Sequence, residues 1–145
     1  MGLATAYILL DAGAFVSVLD LRENADLSAK DGERVRFFKT DVTNEKDVSN
    51  AVEGTVTWTQ QTGAQLGGLV NCAGVATAAK IIDAQGNPHS LDLWNFAMEV
   101  NLTGAFNLTR LVCKHLINVA PEGDDGERGV IIFVASAAAV GPGVT

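Results

Sequence analysis

Polar or small residues follow four short apolar runs in this 145-residue chain, and their side chains and backbone could hold a ligand. These residues are Asp20, Asp41 with Val42, Asn71 to Gly74, and Ser136. A carboxylate accepts hydrogen bonds from hydroxyl and amine groups, and a serine hydroxyl donates one to an oxygen on which negative charge develops. Each residue also has an ordinary interpretation, such as a polar residue that leaves a strand or stands beside a helix cap.

Extended and helical segments alternate along the chain. The predicted order is helix 3–12, strand 15–20, a short helix or loop in 21–33, strand 35–42, helix 43–63, strand 66–74, helices 91–101 and 103–119, and strand 130–136. The strands are apolar throughout, which is typical of a parallel sheet covered on both faces. The sequence therefore predicts an α/β fold, a doubly wound parallel sheet of the Rossmann type, in one domain over residues 1–145.

The spacing of Asp20 gives it a more specific interpretation. In a doubly wound sheet, ligands bind beyond the carboxyl ends of the strands. Asp20 lies 18 residues after Gly2 and ends a predicted strand, which is the place of an acid that accepts hydrogen bonds from adenosine ribose hydroxyls. A carboxylate there repels a 2′-phosphate and favours NAD over NADP, whereas the nearby Arg22 could accommodate that phosphate.

Composition argues against several other classes of protein. The net charge of −7 disfavours general binding to nucleic acid or to anionic lipid. No apolar run approaches the ~20 residues of a membrane-spanning helix. The two cysteines and two histidines share no metal-ligand spacing, so no metal site is predicted.

Several motifs resemble the short-chain dehydrogenase/reductase family. They are "NCAG" at 71–74, "VNLTGAFNLTR" at 100–110 and "GVIIFVAS" at 129–136. Within that family, "GLATA", "DVTNEKDV" and the insertion "APEGDDGERGVII" resemble the type 2 3-hydroxyacyl-CoA dehydrogenases. The resemblance covers essentially the whole chain. It implies an NAD-dependent oxidoreductase of fatty acid metabolism that interconverts 3-hydroxyacyl-CoA and 3-ketoacyl-CoA.

The resemblance also implies roles for individual residues. Asp20 would bind the adenosine ribose, and Asp41 and Val42 would hold the adenine. The remaining cofactor contacts would come from Met1, Gly2, Asn71, Cys72, Ala73 and Gly74, with Cys72 a wall of the site and not a nucleophile. Asn101 would hold a relay water through its backbone carbonyl, and Ser136 would donate a hydrogen bond to the substrate oxygen. A polar residue at a helix junction is the alternative for Asn101.

The family's base, a tyrosine in a Y-x-x-x-K arrangement beyond the serine, does not occur in this sequence. The single tyrosine is Tyr7, and Asp11 stands four residues after it. We therefore expect that the first strand, most of the glycine turn and the part after the fifth strand are missing. The missing first strand would lie between the strands that end at Asp20 and Asn71. The alternative function is then a catalytically inactive fragment with a binding or regulatory role.

A nucleotide-binding fold with another chemistry, such as methyl transfer, is a third and more remote class. The resemblance further implies an acyl-CoA substrate, with steroid use left open, and no direct contact with nucleic acid or membrane. It implies a homotetramer for the full-length relatives and residence in mitochondria.

Overall fold

The computed structural model describes residues 1–137, apart from the side chains of Ser28 and Lys30. The elements in chain order are α1 Gly2–Asp11, β1 Val16–Asp20, α2 Ala25–Lys30, β2 Val35–Lys39, α3 Glu45–Thr62, β3 Gly68–Asn71, α4 Leu91–Met98, a π-helical segment Glu99–Gly104, α5 Ala105–Leu116 and β4 Val130–Phe133. The predicted alternation of strands and helices is confirmed, and the final residues 138–145 lie outside the described range.

The described strands form two parallel pairs. β1 pairs with β2 in a register that runs from Val16 opposite Val35 to Asp20 opposite Lys39. β3 pairs with β4, from Gly68 opposite Val130 to Asn71 opposite Phe133. The α/β class with parallel strands is confirmed. The strands predicted to form one sheet are present as two separate pairs, which are β1–β2 and β3–β4.

Helices cover β1–β2 on both faces. On one face, α1 and α2 enclose an apolar cluster with the strands, made up of Ala6, Leu10, Val16, Leu27 and Val35. On the other face, Leu19 of β1 packs against a second cluster formed by α3 and α5. The same cluster receives Leu69 of β3 and Ile131 of β4, so one helical layer lies against both strand pairs.

Residues of the types that favour helix caps fix three helix ends. The Asn44 side chain accepts hydrogen bonds from the backbone N–H groups of Lys46 and Asp47 at the start of α3. The helix stops at Gly63, whose φ of 70° is left-handed and suits glycine. The Ser90 hydroxyl accepts from the Leu93 N–H at the start of α4. Thr43 and Asn44 are both residue types that favour a helix start, and Asn44 is the one that caps α3.

Several boundaries differ from the prediction. β3 spans only Gly68–Asn71, so Cys72, Ala73 and Gly74 lie in the loop after the strand. β2 ends at Lys39, so Asp41 and Val42 lie in the following loop and not on the strand. β4 ends at Phe133, so Ser136 lies three residues beyond the strand. The two helical stretches over 91–119 are joined by the π-helical segment, which a 3.6-residue pattern does not distinguish from an ordinary helix junction.

Burial of β4 also differs from the prediction. Its apolar sequence predicts cover on both faces, yet Ile132 is 46% exposed and Phe133 is 54% exposed. Only Ile131 reaches the cluster under α3 and α5. Side chains alternate between the faces of a strand, so the face that carries Val130 and Ile132 is open in the described residues.

Candidate functional site

Loops that follow the strands meet at the carboxyl ends of each pair. The Thr40 N–H donates to the Asp20 carbonyl over 2.9 Å, which joins the end of β1 to the loop after β2. The Val134 N–H donates to the Asn71 carbonyl over 3.0 Å, which joins the end of β3 to the segment after β4. Asp20, the Asp41 turn, Asn71 and the segment that leads to Ser136 therefore lie at the carboxyl ends of the strands, where ligands bind in folds of this class.

Asp20 ends β1 with an exposed side chain. Its Oδ1 atom accepts a hydrogen bond from the Arg22 backbone N–H over 3.2 Å. This bond orients the carboxylate at the end of the strand, where it remains accessible to a hydroxyl-bearing ligand. Arg22 thus contacts Asp20 through its backbone N–H. Its side chain is the group that could favour a 2′-phosphate.

Asp41 forms a tight turn with Thr43. The Thr43 N–H and hydroxyl both donate to Asp41 Oδ1, over 2.9 and 2.7 Å. These bonds hold the pKa of Asp41 below its ordinary value, the hydroxyl bond being the larger cause, while partial burial opposes them. Asp41 is therefore ionised near neutral pH and can accept hydrogen bonds, and the turn holds the Val42 backbone between two fixed residues.

β3 ends with a buried side chain, that of Asn71. Asn71 Oδ1 accepts from the Ala73 N–H over 3.0 Å, which turns the chain at the end of the strand. Cys72, a free thiol, follows in a half-buried position. A Cβ built on Gly2 would stand 3.5 Å from the Cys72 Cβ, so the first turn of α1 lies directly against this loop.

Asn101 is bound to the same loop through its side chain. Asn101 Oδ1 accepts from the Val75 N–H over 2.8 Å, and Asn101 Nδ2 donates to the Val75 carbonyl over 2.9 Å. The two residues are 26 positions apart in the sequence. The role predicted for Asn101 involved only its backbone carbonyl, so this side-chain contact was not predicted. An asparagine at a helix junction indicates that its side-chain amide has a hydrogen-bond partner nearby. The sequence spacing does not indicate which residue that partner is.

Met1 and Ser136, two further predicted residues, lie near the two ends of the described range. Met1 precedes α1 and is exposed, and Ser136 is exposed among the last described residues. Tyr7 packs against the cluster between α1 and β1, so its ring lies in a structural position. The roles predicted for Met1, Asn101 and Ser136 stay predictions.

The residues present fit the adenosine half of an adenine dinucleotide. Asp20 supplies an oriented, exposed carboxylate, and the Asp41 turn supplies a carboxylate kept ionised beside a fixed backbone. The start of α1 lies against Cys72, and a helix start attracts phosphate. Over residues 1–137, no group of histidine, cysteine and acidic side chains is arranged to bind a metal ion. Within the same range, no helix has the length and apolar character needed to cross a membrane.

Comparison with known proteins gives matches over nearly the whole chain. The family profile described as short chain dehydrogenase matches residues 1–145. The 3-hydroxyacyl-CoA dehydrogenase type-2 of Bos taurus is 38% identical over 142 residues, which are 96% of this chain and 52% of the relative. The ipsdienol dehydrogenase of Ips pini is 31% identical over 145 residues, covering 98% of this chain and 54% of the relative.

A solved structure has the same fold. The 3-hydroxyacyl-CoA dehydrogenase type-2 of Mycobacterium avium superposes with a TM-score of 0.83 at 28% identity, over 96% of this chain and 53% of that one. The chain therefore spans about half the length of the relatives it matches.

Proposed function

The chain belongs to the short-chain dehydrogenase family, and from this premise we propose that it forms the cofactor-binding half of an NAD-dependent 3-hydroxyacyl-CoA dehydrogenase. The proposed reaction interconverts 3-hydroxyacyl-CoA and 3-ketoacyl-CoA. The names of its relatives from Bos taurus and Mycobacterium avium support this substrate class. The ipsdienol dehydrogenase relative indicates that the family also includes other alcohol substrates.

One observation carries the proposal. Two loops from neighbouring strands present Asp20 and the Asp41 turn side by side, joined by the Thr40–Asp20 backbone bond. Both carboxylates accept hydrogen bonds that orient them, and their accessible oxygens suit the ribose and the amine of adenosine. A carboxylate at Asp20 disfavours a 2′-phosphate by charge repulsion and supports NAD as the cofactor.

Oxidation of a 3-hydroxyl group removes a hydride and a proton. When bound, NAD supplies the acceptor for the hydride. We assign to Ser136 a hydrogen bond to the substrate oxygen, where charge develops, and to the Asn101 carbonyl the binding of a relay water. The proton must go to a base, and the family's Y-x-x-x-K pair is absent from these 145 residues.

That absence favours a second candidate function. By itself, the 145-residue chain would be a catalytically inactive binding or regulatory product. General acid–base catalysis contributes about 10²–10⁴ to a rate, and a hydrogen-bond donor with a relay water does not replace it. The two candidate functions, dehydrogenase and inactive binding product, differ in whether flanking residues supply the missing base.

A chimera distinguishes the candidates. The 145-residue chain is compared with a protein in which the flanking segments of the Bos taurus relative are joined to both of its ends. We expect the chimera to reduce acetoacetyl-CoA with NADH, and we expect the chain alone to give no turnover. Folding of both proteins is checked by circular dichroism.

Variants of the chimera test individual roles. Ser136→Ala should lower kcat by roughly 10²–10³ and leave NADH affinity nearly unchanged, because it removes one donor to the developing oxyanion. Ser49→Ala, in α3, is the matched control. Asp20→Ala should weaken NAD binding by roughly 1–2 kcal/mol, about the strength of a charge-assisted hydrogen bond. A folded chimera that is inactive, or one that prefers NADP, would contradict the proposal.

We also propose that the complete protein is a homotetramer and resides in mitochondria, as the family resemblance implies. Exposed apolar side chains on α4, the π-helical segment and α5 support the first statement; they include Trp94, Phe96, Leu102 and Phe106. Large exposed apolar surfaces mark interfaces between chains. Light scattering on the chimera tests the assembly, and fractionation of the source cells tests the compartment.

A further inference from the structure

Gly104 ends the π-helical segment in a buried position beside the Asp41 turn. Its φ and ψ are −62° and −45°, values that every L-residue adopts in a helix. Backbone conformation therefore does not require glycine at this position. Glycine is needed here because of the space beside it.

That space is taken by Val42. A Cβ built on Gly104 would stand 3.1 Å from the Val42 Cβ, 3.1 Å from its Cγ2 and 3.1 Å from its carbonyl oxygen. These separations are below the usual distance between non-bonded heavy atoms of about 3.5–4.0 Å. One of the three atoms belongs to the backbone, so a rotamer change in Val42 would not relieve the crowding. A side chain at position 104 must displace the Val42 backbone by a few tenths of an ångström.

Gly104 and Asn101 share the π-helical segment and contact different loops. Asn101 bonds to Val75 in the loop after β3, and Gly104 packs on Val42 in the loop after β2. Residues three apart lie about 60° apart around an α-helix, and a π-helix separates them further because its turn takes up an additional residue. The π-helical geometry thus allows one short segment to contact both loops.

We propose that Gly104 is a positioning residue for adenine recognition: its missing side chain lets the π-helical segment hold the Val42 backbone at the place from which it contacts the adenine. The inference rests on the proposed function, since it concerns the same cofactor. The Asp41–Thr43 bonds hold the turn from within, and Gly104 fixes its position relative to the rest of the fold.

The first test is an NMR titration of the 145-residue chain with AMP, which carries the adenine and ribose of the cofactor. We expect the amide resonances of Val42 and Gly104 to shift together, while that of Gly67 stays in place. If no resonance shifts, the proposed cofactor function fails. If Val42 shifts and Gly104 does not, only the role of Gly104 is overturned. This measurement needs no variant and stands even if a substitution prevents folding.

The second test is Gly104→Ala with Gly67→Ala as its control. A Cβ on Gly67 would meet nothing within 4 Å, so this substitution adds the same methyl group in open space. We expect Gly104→Ala to weaken AMP binding about tenfold, the loss of about one hydrogen bond, and Gly67→Ala to change it less than twofold.

The chimera separates positioning from a general folding defect. Gly104→Ala should raise the KM for NADH about tenfold with kcat within twofold of the parent, because only the adenosine contact is displaced. A merely structural defect would reduce the amount of active enzyme and so lower the apparent kcat at an unchanged KM. That result, or unchanged AMP binding in a folded variant, would overturn the inference.

Discussion

The two strand pairs are built alike and covered differently. In β1–β2, Val16 faces the cluster with α1, and Leu19 faces the cluster under α3 and α5, so both faces are packed. In β3–β4, Leu69 and Ile131 reach the second cluster, while Ile132 lies on an open face. An apolar sequence on both faces of a strand therefore indicates only that cover is expected. It does not indicate which residues pack on each face.

The loops that carry the candidate site also differ between the pairs. The loop after β2 is held by a bond between residues two apart, Asp41 and Thr43. The loop after β3 starts with a bond of the same local kind, from the Ala73 N–H to Asn71 Oδ1, and is in addition hydrogen-bonded to Asn101, which is 26 residues from its partner Val75. Local bonds form from a short stretch of sequence, whereas the remote pair requires that the helical layer has docked. The two loops should therefore respond differently to substitution.

The largest expected effect concerns the difference in cover. Leu10, 2% exposed between α1 and β1, is replaced by alanine, and Ile132, 46% exposed on β4, is replaced in the same way. Leu10→Ala should lower the free energy of unfolding by about 2–5 kcal/mol, because it leaves a cavity in a closed cluster. Ile132→Ala should cost less than about 1 kcal/mol, because much of that side chain is already in water. Urea unfolding of the two variants measures the difference; equal costs would show that β4 is covered after all.

Local sequence patterns predicted a large part of the fold. The helix starts at Asn44 and Ser90 and the stop at Gly63 could be read directly, because each depends on side chains or backbone freedom within a few residues. The placement of Asp20 at a strand end depends on one short apolar run and was also right. These features do not depend on residues far away in the sequence.

The missed features all depend on residues far apart in the sequence. The Asn101–Val75 pair and the Gly104–Val42 contact arise only when the helical layer lies against the loops. The ends of β2 and β4 were placed too late: Asp41 stands two residues past Lys39, the last paired residue of β2, and the apolar run before Ser136 continues past Phe133, the last paired residue of β4. Strand pairing, which decides where a strand ends, is not visible in the composition of the strand itself.

The second prediction concerns the remote bond. Asn101→Ala removes both hydrogen bonds to Val75 and should lower the free energy of unfolding by about 1–3 kcal/mol, at 0.5–1.5 kcal/mol for each bond. Asn101→Asp keeps the acceptor for the Val75 N–H but places a carboxylate oxygen against the Val75 carbonyl, so it should also lower the free energy of unfolding. Hydrogen exchange at the Val75 amide reports the local effect, with Asn50→Ala on α3 as the control. Unchanged protection of Val75 in Asn101→Ala would mean that this loop, too, is held locally.

The third prediction concerns the local bond and its dependence on pH. Thr43→Val removes the hydroxyl that is the larger cause of the lowered Asp41 pKa, so that pKa should rise toward its ordinary value. Thr43→Ser keeps the hydroxyl and should keep the pKa low. Because the folded pKa lies below the unfolded one, the stabilisation by this carboxylate is present above about pH 4 and is lost as the pH falls through the folded pKa. An NMR titration of the Asp41 carboxyl measures the pKa, and equal values in the two variants would assign the shift to the backbone bond alone.

The smallest expected effect is in the helical layer that both strand pairs share. Glu53 of α3 accepts hydrogen bonds from Lys114 Nζ over 2.9 Å and from His115 Nε2 over 3.0 Å, both on α5. These two bonds, that from Lys114 first, lower the pKa of Glu53. All three side chains contact water to some extent, and exposed ion pairs contribute little because solvent screens them.

Glu53→Gln should therefore lower the melting temperature only slightly at neutral pH. Glu33→Gln makes the same change of charge at an exposed position before β2 and serves as the control. Because the pKa of Glu53 is lower in the folded state, its carboxylate stabilises the fold at pH values above the ordinary pKa of glutamate. The difference in melting temperature between the parent and Glu53→Gln should therefore vanish as the pH falls through the folded pKa. Added salt should also reduce it. A difference that persists in acid and at high salt would mean that Glu53 acts through packing between α3 and α5, and that the shared layer depends on it as it depends on its apolar cluster.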